Sequence, residues 1–158
     1  SKNSIAPANT NICPGNTITL SANAGAAAYQ WQVNTGSGYS NISNDADYAG
    51  TATSSLQIIN LSTSFTGYKY RCVVDAVNGT EYTLRFKNTW TGTTSTSWFT
   101  ASNWSCGSVP DGNTDVIIPA GLVRYPVLTA STAIRSLRIL TNVPVVINTG
   151  VQLDINGK

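Results

Sequence analysis

The sequence predicts an all-β protein made of two successive β-rich regions. Short stretches in which apolar and polar residues alternate recur along the 158 residues. Alternation with a period of two is the pattern of a strand that buries one face. Clusters of Gly, Asn, Ser and Pro separate these stretches, as turns separate short strands. No segment has the apolar spacing of an amphipathic helix, so we expect strands throughout.

The first region is organised around residues 67–74. In this stretch Tyr70 and Cys72 lie on one face of the predicted strand, whereas Arg71 points away from the sulfur of Cys72. Trp31 lies on an earlier alternating stretch, and Cys13 precedes both. A cysteine, a tryptophan on a strand and then a Tyr-x-Cys strand is the order found in an immunoglobulin-like sandwich. We therefore expect Trp31 and Tyr70 in its core, with Tyr70 as the tyrosine corner.

Turn signals divide residues 11–86 into about seven short strands, the number expected for such a sandwich. Asn78 and Gly79 form the strongest of these signals, because Asn-Gly between two alternating stretches is typical of a two-residue hairpin. The last strand of the first region is predicted over residues 81–86, with Phe86 among its buried residues.

Residues 11–86 resemble a bacterial immunoglobulin-like domain of large exported or cell-surface proteins of Bacteroidetes-type bacteria. The stretches that carry the resemblance are residues 12–15, 17–20, 29–33, 55–58 and 67–74. In one respect the sequence departs from antibody-type domains, because Cys13 precedes its strand instead of lying within it. The resemblance implies an adhesin-like module of a multidomain surface protein, with neighbouring modules as partners. It does not imply a known ligand.

The immunoglobulin-like pattern implies a disulfide bond between Cys13 and Cys72. Such a bond would close a loop of 59 residues and contribute about 4 kcal/mol on the chain-entropy model. A structural disulfide indicates an oxidising compartment, and therefore export. Cys106 is then left over, either as a free, partly buried thiol or as a bridge to a neighbouring module.

The composition changes near residue 88, so we divide the chain into domains 1–87 and 88–158. In the second domain residues 143–148 are repeated eight positions later in residues 151–156. Two arrangements fit this repeat: the coils of a β-solenoid, or up-and-down hairpins. Residues 104–118 resemble the opening segment of β-repeat modules in bacterial surface adhesins. The pattern reaches residue 158 without a polar capping segment, so we expect a module that is truncated at its C-terminal end.

Trp90, Trp98 and Trp104 fall within fifteen residues of one another at the start of the second domain. Exposed indole rings stack on the faces of sugars, so these three residues are a candidate carbohydrate platform. The alternative is that the rings fill the first core layer and close the end of the β-module.

The residues offer little for catalysis or metal binding. The chain contains no histidine, which excludes a Ser-His-Asp triad and a His-ligated metal site. Asp111, Asn113 and Asp115 place oxygen atoms at alternate positions and form a weak calcium candidate. They lack the glycine and the bidentate glutamate of a calcium loop, so a turn is the simpler interpretation. We expect no cofactor and no enzymatic activity.

The composition limits the possible partners. Only 10% of the residues are charged, the net charge is +2, and the nine basic residues are scattered. These values do not indicate a nucleic-acid partner. No apolar run approaches the roughly 20 residues of a transmembrane helix, so we expect no membrane insertion. The sequence predicts a non-catalytic, secreted or cell-surface module that acts as an adhesin or spacer, with a surface glycan or a protein as ligand. The alternative is a carbohydrate-binding accessory module of a secreted polysaccharide-degrading enzyme.

Overall fold

A computed structural model of the chain describes Ile5, Pro7, residues 11–23 and residues 25–158. Across these ranges it contains fifteen strands and two 3-10 turns of three residues each. The predicted all-β class is therefore confirmed. The chain divides into two compact units, of which the first comprises Ser1–Thr10 and Pro14–Leu84, and the second comprises Asn11–Cys13 and Arg85–Lys158. Among the described residues, no helix has the length and apolar character needed to cross a bilayer.

The first unit consists of two antiparallel sheets. Its strands are β1 (Ile18–Ser21), β2 (Tyr29–Asn34), β3 (Tyr39–Asn41), β4 (Tyr48–Ala49), β5 (Ser55–Ile58), β6 (Lys69–Val74), β7 (Val77–Asn78) and β8 (Tyr82–Thr83). One sheet has the order β1-β5-β4. The other has the order β3-β2-β6, and both β7 and β8 pair with β6. Two antiparallel sheets with these strand orders form an immunoglobulin-like sandwich.

Trp31 and Tyr70 both lie in the core of the sandwich, where neither side chain is exposed to solvent. Trp31 is the register partner of Cys72 across β2 and β6. Its indole Nε1 donates a hydrogen bond of 2.9 Å to the carbonyl of Thr53, which satisfies the one polar atom of a buried tryptophan. The Tyr70 hydroxyl lies 3.1 Å from the Tyr48 hydroxyl. Its partner is thus a side chain, whereas the hydroxyl of a tyrosine corner bonds to the backbone.

The strand predicted over residues 81–86 is split between the two units. Tyr82 pairs with Tyr70 as part of β8, and the Leu84 amide donates to the Tyr68 carbonyl at 2.8 Å. Phe86, by contrast, begins a strand of the second unit. The chain therefore leaves the sandwich after Leu84, three residues before the predicted boundary.

The strands of the second unit pair with one another in parallel, and isolated antiparallel bridges join Ile12 to Lys87 and Trp90 to Trp104. Its strands are β9 (Phe86–Thr89), β10 (Thr114–Ile118), β11 (Val127–Leu128), β12 (Thr132–Ile134), β13 (Ser136–Ile139), β14 (Val146–Ile147) and β15 (Leu153–Ile155). They form three parallel sheets, β9-β10-β13, β11-β14 and β12-β15. The chain thus visits three sides in turn and returns to stack on itself, which is a three-sided β-solenoid. Hairpin strands are antiparallel, so the parallel pairing selects the solenoid from the two predicted arrangements.

From β10 onwards one coil of the solenoid contains about 20 residues, because stacked partners such as Val127 and Val146 or Thr132 and Leu153 are 19 to 21 positions apart. The first coil is longer, with 28 positions between Phe86 and Thr114. The eight-residue repeat has a different meaning. It relates Leu137, Val145 and Leu153, which pack against the core from successive parts of one coil. The eight-residue repeat therefore corresponds to the step from one side of a coil to the next, whereas residues stacked in successive coils are farther apart in the sequence.

Candidate functional site

Cys13 forms its disulfide bond with Cys106, and the predicted bond to Cys72 is wrong. The Cα atoms of Cys13 and Cys106 are 5.4 Å apart. Cys72 is a buried free cysteine, and burial raises the pKa of its thiol. The physical reason is the path of residues 11–13. Ile12 exchanges backbone hydrogen bonds of 3.2 and 3.0 Å with Lys87, and these bonds make residues 11–13 part of the second unit.

The loop that carries Cys106 is held by Asn88, a residue that the sequence reasoning missed. Asn88 is 2% exposed and faces the interior of the solenoid. Its Oδ1 accepts a hydrogen bond of 3.0 Å from the Cys106 amide, and its Nδ2 donates one of 2.8 Å to the Ser108 carbonyl. These bonds fix the position of the second cysteine. The period of two in Phe86–Thr89 is the signal that could have identified Asn88, because it places this side chain on the same inward face as Phe86.

Trp90, Trp98 and Trp104 are buried, with 0%, 0% and 3% of their surface exposed. The ring of Trp104 packs edge-on against both others, at centroid distances of 5.1 Å from Trp90 and 4.8 Å from Trp98. The Trp104 Nε1 donates to the Trp98 carbonyl at 2.7 Å. Buried rings cannot offer a face to a sugar, so the candidate carbohydrate platform is wrong. The tryptophans are core residues of the solenoid.

Asn103 organises the tryptophan loop and was also missed. Its side chain is fully buried. The Oδ1 atom accepts hydrogen bonds from the amides of Thr94 and Ser95 at 2.9 and 3.0 Å. The Nδ2 atom donates to the Ser95 hydroxyl and the Ser97 carbonyl at 3.0 and 2.9 Å. A buried amide with all its groups bonded specifies one loop conformation. Nothing in the sequence separates this asparagine from the many others.

The weak calcium candidate is not assembled into one site. Asp111 Oδ1 accepts hydrogen bonds from the Asn113 amide at 2.9 Å and the Thr114 hydroxyl at 3.0 Å, so it closes a turn. Asp115 Oδ1 instead contacts the Arg135 guanidinium at 2.5 Å. The described residues contain no group of three or more acidic, cysteine or histidine side chains placed to hold a metal.

An exposed polar network covers the outer face of the β3-β2-β6 sheet and is the candidate ligand site. We name it the tyrosine platform and define it as Gln32, Tyr39, Asn41, Lys69, Arg71 and Glu81. The Arg71 guanidinium stacks over the Tyr39 ring, 3.9 Å from the centroid. This position confirms that Arg71 faces away from the buried Cys72. The Tyr39 hydroxyl donates a hydrogen bond of 2.5 Å to Glu81.

The rest of the tyrosine platform holds these two side chains in place. Glu81 forms a salt bridge of 2.9 Å with Lys69. The Arg71 Nε donates to the Gln32 carbonyl oxygen, and the Gln32 amide donates to Asn41, both at 2.8 Å. Each side chain of the platform is therefore oriented by at least one neighbour.

At neutral pH the protonation states of Tyr39 and Glu81 in the tyrosine platform are well defined. Desolvation, with help from the hydrogen bond to Glu81 and from its charge, raises the pKa of Tyr39 to about 12. The hydrogen bond from Tyr39, followed by that from Lys69, lowers the pKa of Glu81. Tyr39 is consequently a neutral donor and Glu81 an ionised acceptor, and both states favour their short contact.

A groove of about 280 Å³ adjoins the tyrosine platform and shares Lys69 with it. Its other lining residues are Asn34, Thr35, Gly36, Thr66, Gly67 and Tyr68. Asn34 Oδ1 accepts hydrogen bonds from the Gly36 and Gly38 amides at 2.8 and 3.1 Å. This bonding fixes the turn that forms one wall. The platform and the groove together offer an aromatic ring, amides and charges on one side of the sandwich.

Comparison with known proteins gives one match. Residues 89–158 match a family described only as a domain of unknown function (DUF8693). The matched residues account for just under half of the chain and fall in the solenoid unit. No curated protein and no solved structure matches the chain.

Proposed function

We propose that this chain is a non-catalytic, adhesin-like module of an exported bacterial protein. In this proposal the sandwich binds a surface ligand through the tyrosine platform, and the solenoid serves as a spacer. The observation that carries the proposal is the platform itself, in which Tyr39 is fixed between Arg71 and Glu81 on an exposed sheet.

The contacts within the tyrosine platform are better suited to binding a partner than to stabilising the fold. The Lys69–Glu81 pair is exposed, with 45% and 43% of the two side chains accessible. Exposed ion pairs contribute about 0 to 1 kcal/mol each, because solvent screens them and ordering long side chains costs entropy. Preorganised side chains, however, lower the entropic cost of binding a partner. An aromatic ring and an arginine are also the residue types most enriched at the centres of binding sites.

Export is supported by the bond between Cys13 and Cys106. Disulfide bonds persist in oxidising compartments and are rare in the cytosol. The low charged fraction of 10% is also typical of the exported β-proteins that the first region resembles.

The chemistry-bearing side chains support a non-catalytic role. Asp45 accepts from the Asp47 and Tyr48 amides, and Asp111 closes its own turn. Cys72 is buried with a raised thiol pKa, the opposite of an activated nucleophile. Each of these groups has a structural role that a reaction would disturb.

The spacer role is supported by the construction of the solenoid. Stacked parallel strands are separated by about 4.8 Å, so each further coil lengthens a solenoid by a fixed step. The first coil is closed by the buried tryptophans and locked by the disulfide bond. The alternative role, a carbohydrate-binding accessory module acting through Trp90, Trp98 and Trp104, has no support from their geometry. A role in glycan binding would depend on the tyrosine platform instead.

The test is binding of the labelled full chain to an array of bacterial and extracellular glycans and proteins. We expect a ligand whose binding weakens by about tenfold or more in Tyr39→Ala, as loss of a central anchor does. The matched control is Gln57→Ala, which truncates an exposed side chain on β5 in the other sheet. Equal binding by the wild type and Tyr39→Ala would contradict the assignment of the platform.

A further inference from the structure

The outer face of the β9-β10-β13 sheet gathers basic residues that are far apart in the sequence. Lys87, Asp115 and Ser136 are register partners on three adjacent strands. They alternate with the buried residues Asn88 and Val116, so they form one outward row.

Arginines complete this surface. Arg138 is exposed and lies two residues beyond Ser136 on the same face of β13. Arg135 reaches the face by its salt bridge of 2.5 Å to Asp115. Arg85 lies two residues before Lys87 and interacts electrostatically with both Arg135 and Asp115. We name the five residues Arg85, Lys87, Asp115, Arg135 and Arg138 the cationic face.

Among the residues that the structure describes, the cationic face holds more positive than negative charge. Four cations surround a single carboxylate, which gives this face a charge of +3. The whole chain carries +2, so the other residues together carry −1. Desolvation and then repulsion from Arg135 lower the pKa of Arg85, and Asp115 acts in the opposite direction. An anion bound here would relieve that repulsion.

We propose that the cationic face binds an anionic polysaccharide that carries carboxylate or sulfate groups. Neighbouring strands are about 4.8 Å apart and each residue adds about 3.3 Å along a strand, so the backbone positions of Lys87 and Arg138 are separated by roughly 12 Å. A polymer with repeated charges can contact several such cations at once. Thr89 and Ser136 lie on the same outward rows. Their hydroxyls donate to Asn11 and Asp115, so their oxygens can act as acceptors for the hydroxyls of a sugar.

The composition of the cationic face favours a polysaccharide over other polyanions. Single-stranded nucleic acids are bound by aromatic rings on which the bases stack, and the outward rows of this sheet carry Lys, Asp, Ser, Thr, Ile and Arg. Acidic polysaccharides are also the polyanions expected outside the cell, where a disulfide-bonded module works. This proposal concerns the solenoid, so it stands or falls independently of the tyrosine platform.

The experiment measures binding of the full chain to immobilised dextran sulfate and polygalacturonate, with uncharged dextran as the negative control. We expect binding to at least one of the two anionic polymers and none to dextran. The double variant Lys87→Gln/Arg138→Gln should bind at least about tenfold more weakly, and its affinity should depend less steeply on salt between about 50 and 200 mM. The control, Arg124→Gln, removes an exposed cation that lies outside both the cationic face and the tyrosine platform, and it should leave binding unchanged.

A gain-of-affinity variant keeps the test independent of folding defects. Ile117→Lys adds a cation to the outward row between Thr89 and Arg138 and should strengthen binding to the same polymer. Three results would overturn the proposal: no binding to either anionic polymer, equal losses in the double variant and in Arg124→Gln, or equally tight binding to duplex DNA or to phosphatidylglycerol vesicles. Either of the last two partners would indicate a general polyanion surface.

Discussion

Cys106 is bonded to Cys13, which lies 93 positions earlier in the sequence. The bond fastens residues 11–13 to the first coil of the solenoid, beside the backbone bridge between Ile12 and Lys87. A segment that precedes the sandwich in the sequence is thus part of the solenoid unit.

Removing the disulfide bond should destabilise the solenoid unit. For a loop of this length the chain-entropy model gives about 4 to 5 kcal/mol, and we expect a loss of this order in Cys13→Ser/Cys106→Ser. Urea unfolding with and without a reductant measures it. Cys72→Ala is the control, because it should leave the effect of the reductant unchanged. A peptide map that links Cys13 to Cys72 in oxidised protein would refute the assignment.

Trp104→Ala should cost about 3 to 5 kcal/mol of unfolding free energy, the usual range for removing a large buried aromatic ring. Trp104 is 3% exposed and contacts two further indoles. Phe99→Ala is the matched control, because Phe99 lies in the same loop with 37% of its surface exposed, and we expect a loss of under about 1 kcal/mol there. Comparable losses in the two variants would show that the ring of Trp104 is not a core element.

Asn103→Leu should also destabilise the solenoid, although leucine has a similar size. The substitution removes a fully buried amide and leaves the part-buried Thr94 and Ser95 amides without their acceptor. A polar group left unpaired away from water costs about 1 to 3 kcal/mol. Chemical unfolding of the variant measures the sum. The exposed Asn148 provides the control, and Asn148→Leu should change the free energy by less than about 0.5 kcal/mol. An unchanged free energy of unfolding in Asn103→Leu would mean that water takes over the hydrogen bonds of the amide.

The carboxyl group of Glu81 should titrate below its usual range near 4.5. Glu81 is the only glutamate in the chain, so selective labelling with carbon-13 gives a single resonance to follow by NMR. Because the pKa of Glu81 is lower in the folded than in the unfolded state, the ionised carboxylate stabilises the fold above the unfolded-state pKa. This stabilisation is lost as the pH falls through the folded-state pKa. Tyr39→Phe should raise the Glu81 pKa, because the hydrogen bond from Tyr39 is the largest cause of the shift. Gln57→Ala is the control and should leave the Glu81 pKa unchanged. A Glu81 pKa that is also unchanged in Tyr39→Phe would contradict the platform geometry.

Several elements of the fold followed from local patterns. The alternation in residues 67–74 placed Tyr70 inward and Arg71 outward, because neighbouring residues on a strand point to opposite faces. The strands of the second region were equally visible in the repeat of residues 143–156. The partner of each strand was not, because alternation fixes the face of a side chain and not the strand beside it. Hence both hairpins and a solenoid fitted the same repeat.

The candidate sites were predicted less well, and for a related reason. The residue types of Trp90, Trp98 and Trp104 suit both a sugar platform and a core, and only burial separates the two. Asn88 and Asn103 are ordinary polar residues until the loops around them close and bury their side chains. The sequence pattern paired Cys13 with Cys72, but no local pattern reveals that residues 11–13 belong to the second unit.

The sequence by itself determined that this protein is all-β, which residues of its clearest strands face inward, and that it has no histidine-based chemistry. Only the tertiary structure decided that Cys13 joins Cys106, that the indoles are buried, and that Lys87, Asp115 and Ser136 lie side by side. The physical reason is that the inward or outward face of a strand is set by its own alternation. Neighbours across strands depend instead on the length of each coil, which is 28 positions from Lys87 to Asp115 and 21 from Asp115 to Ser136. This stacking brings scattered cations together at one surface.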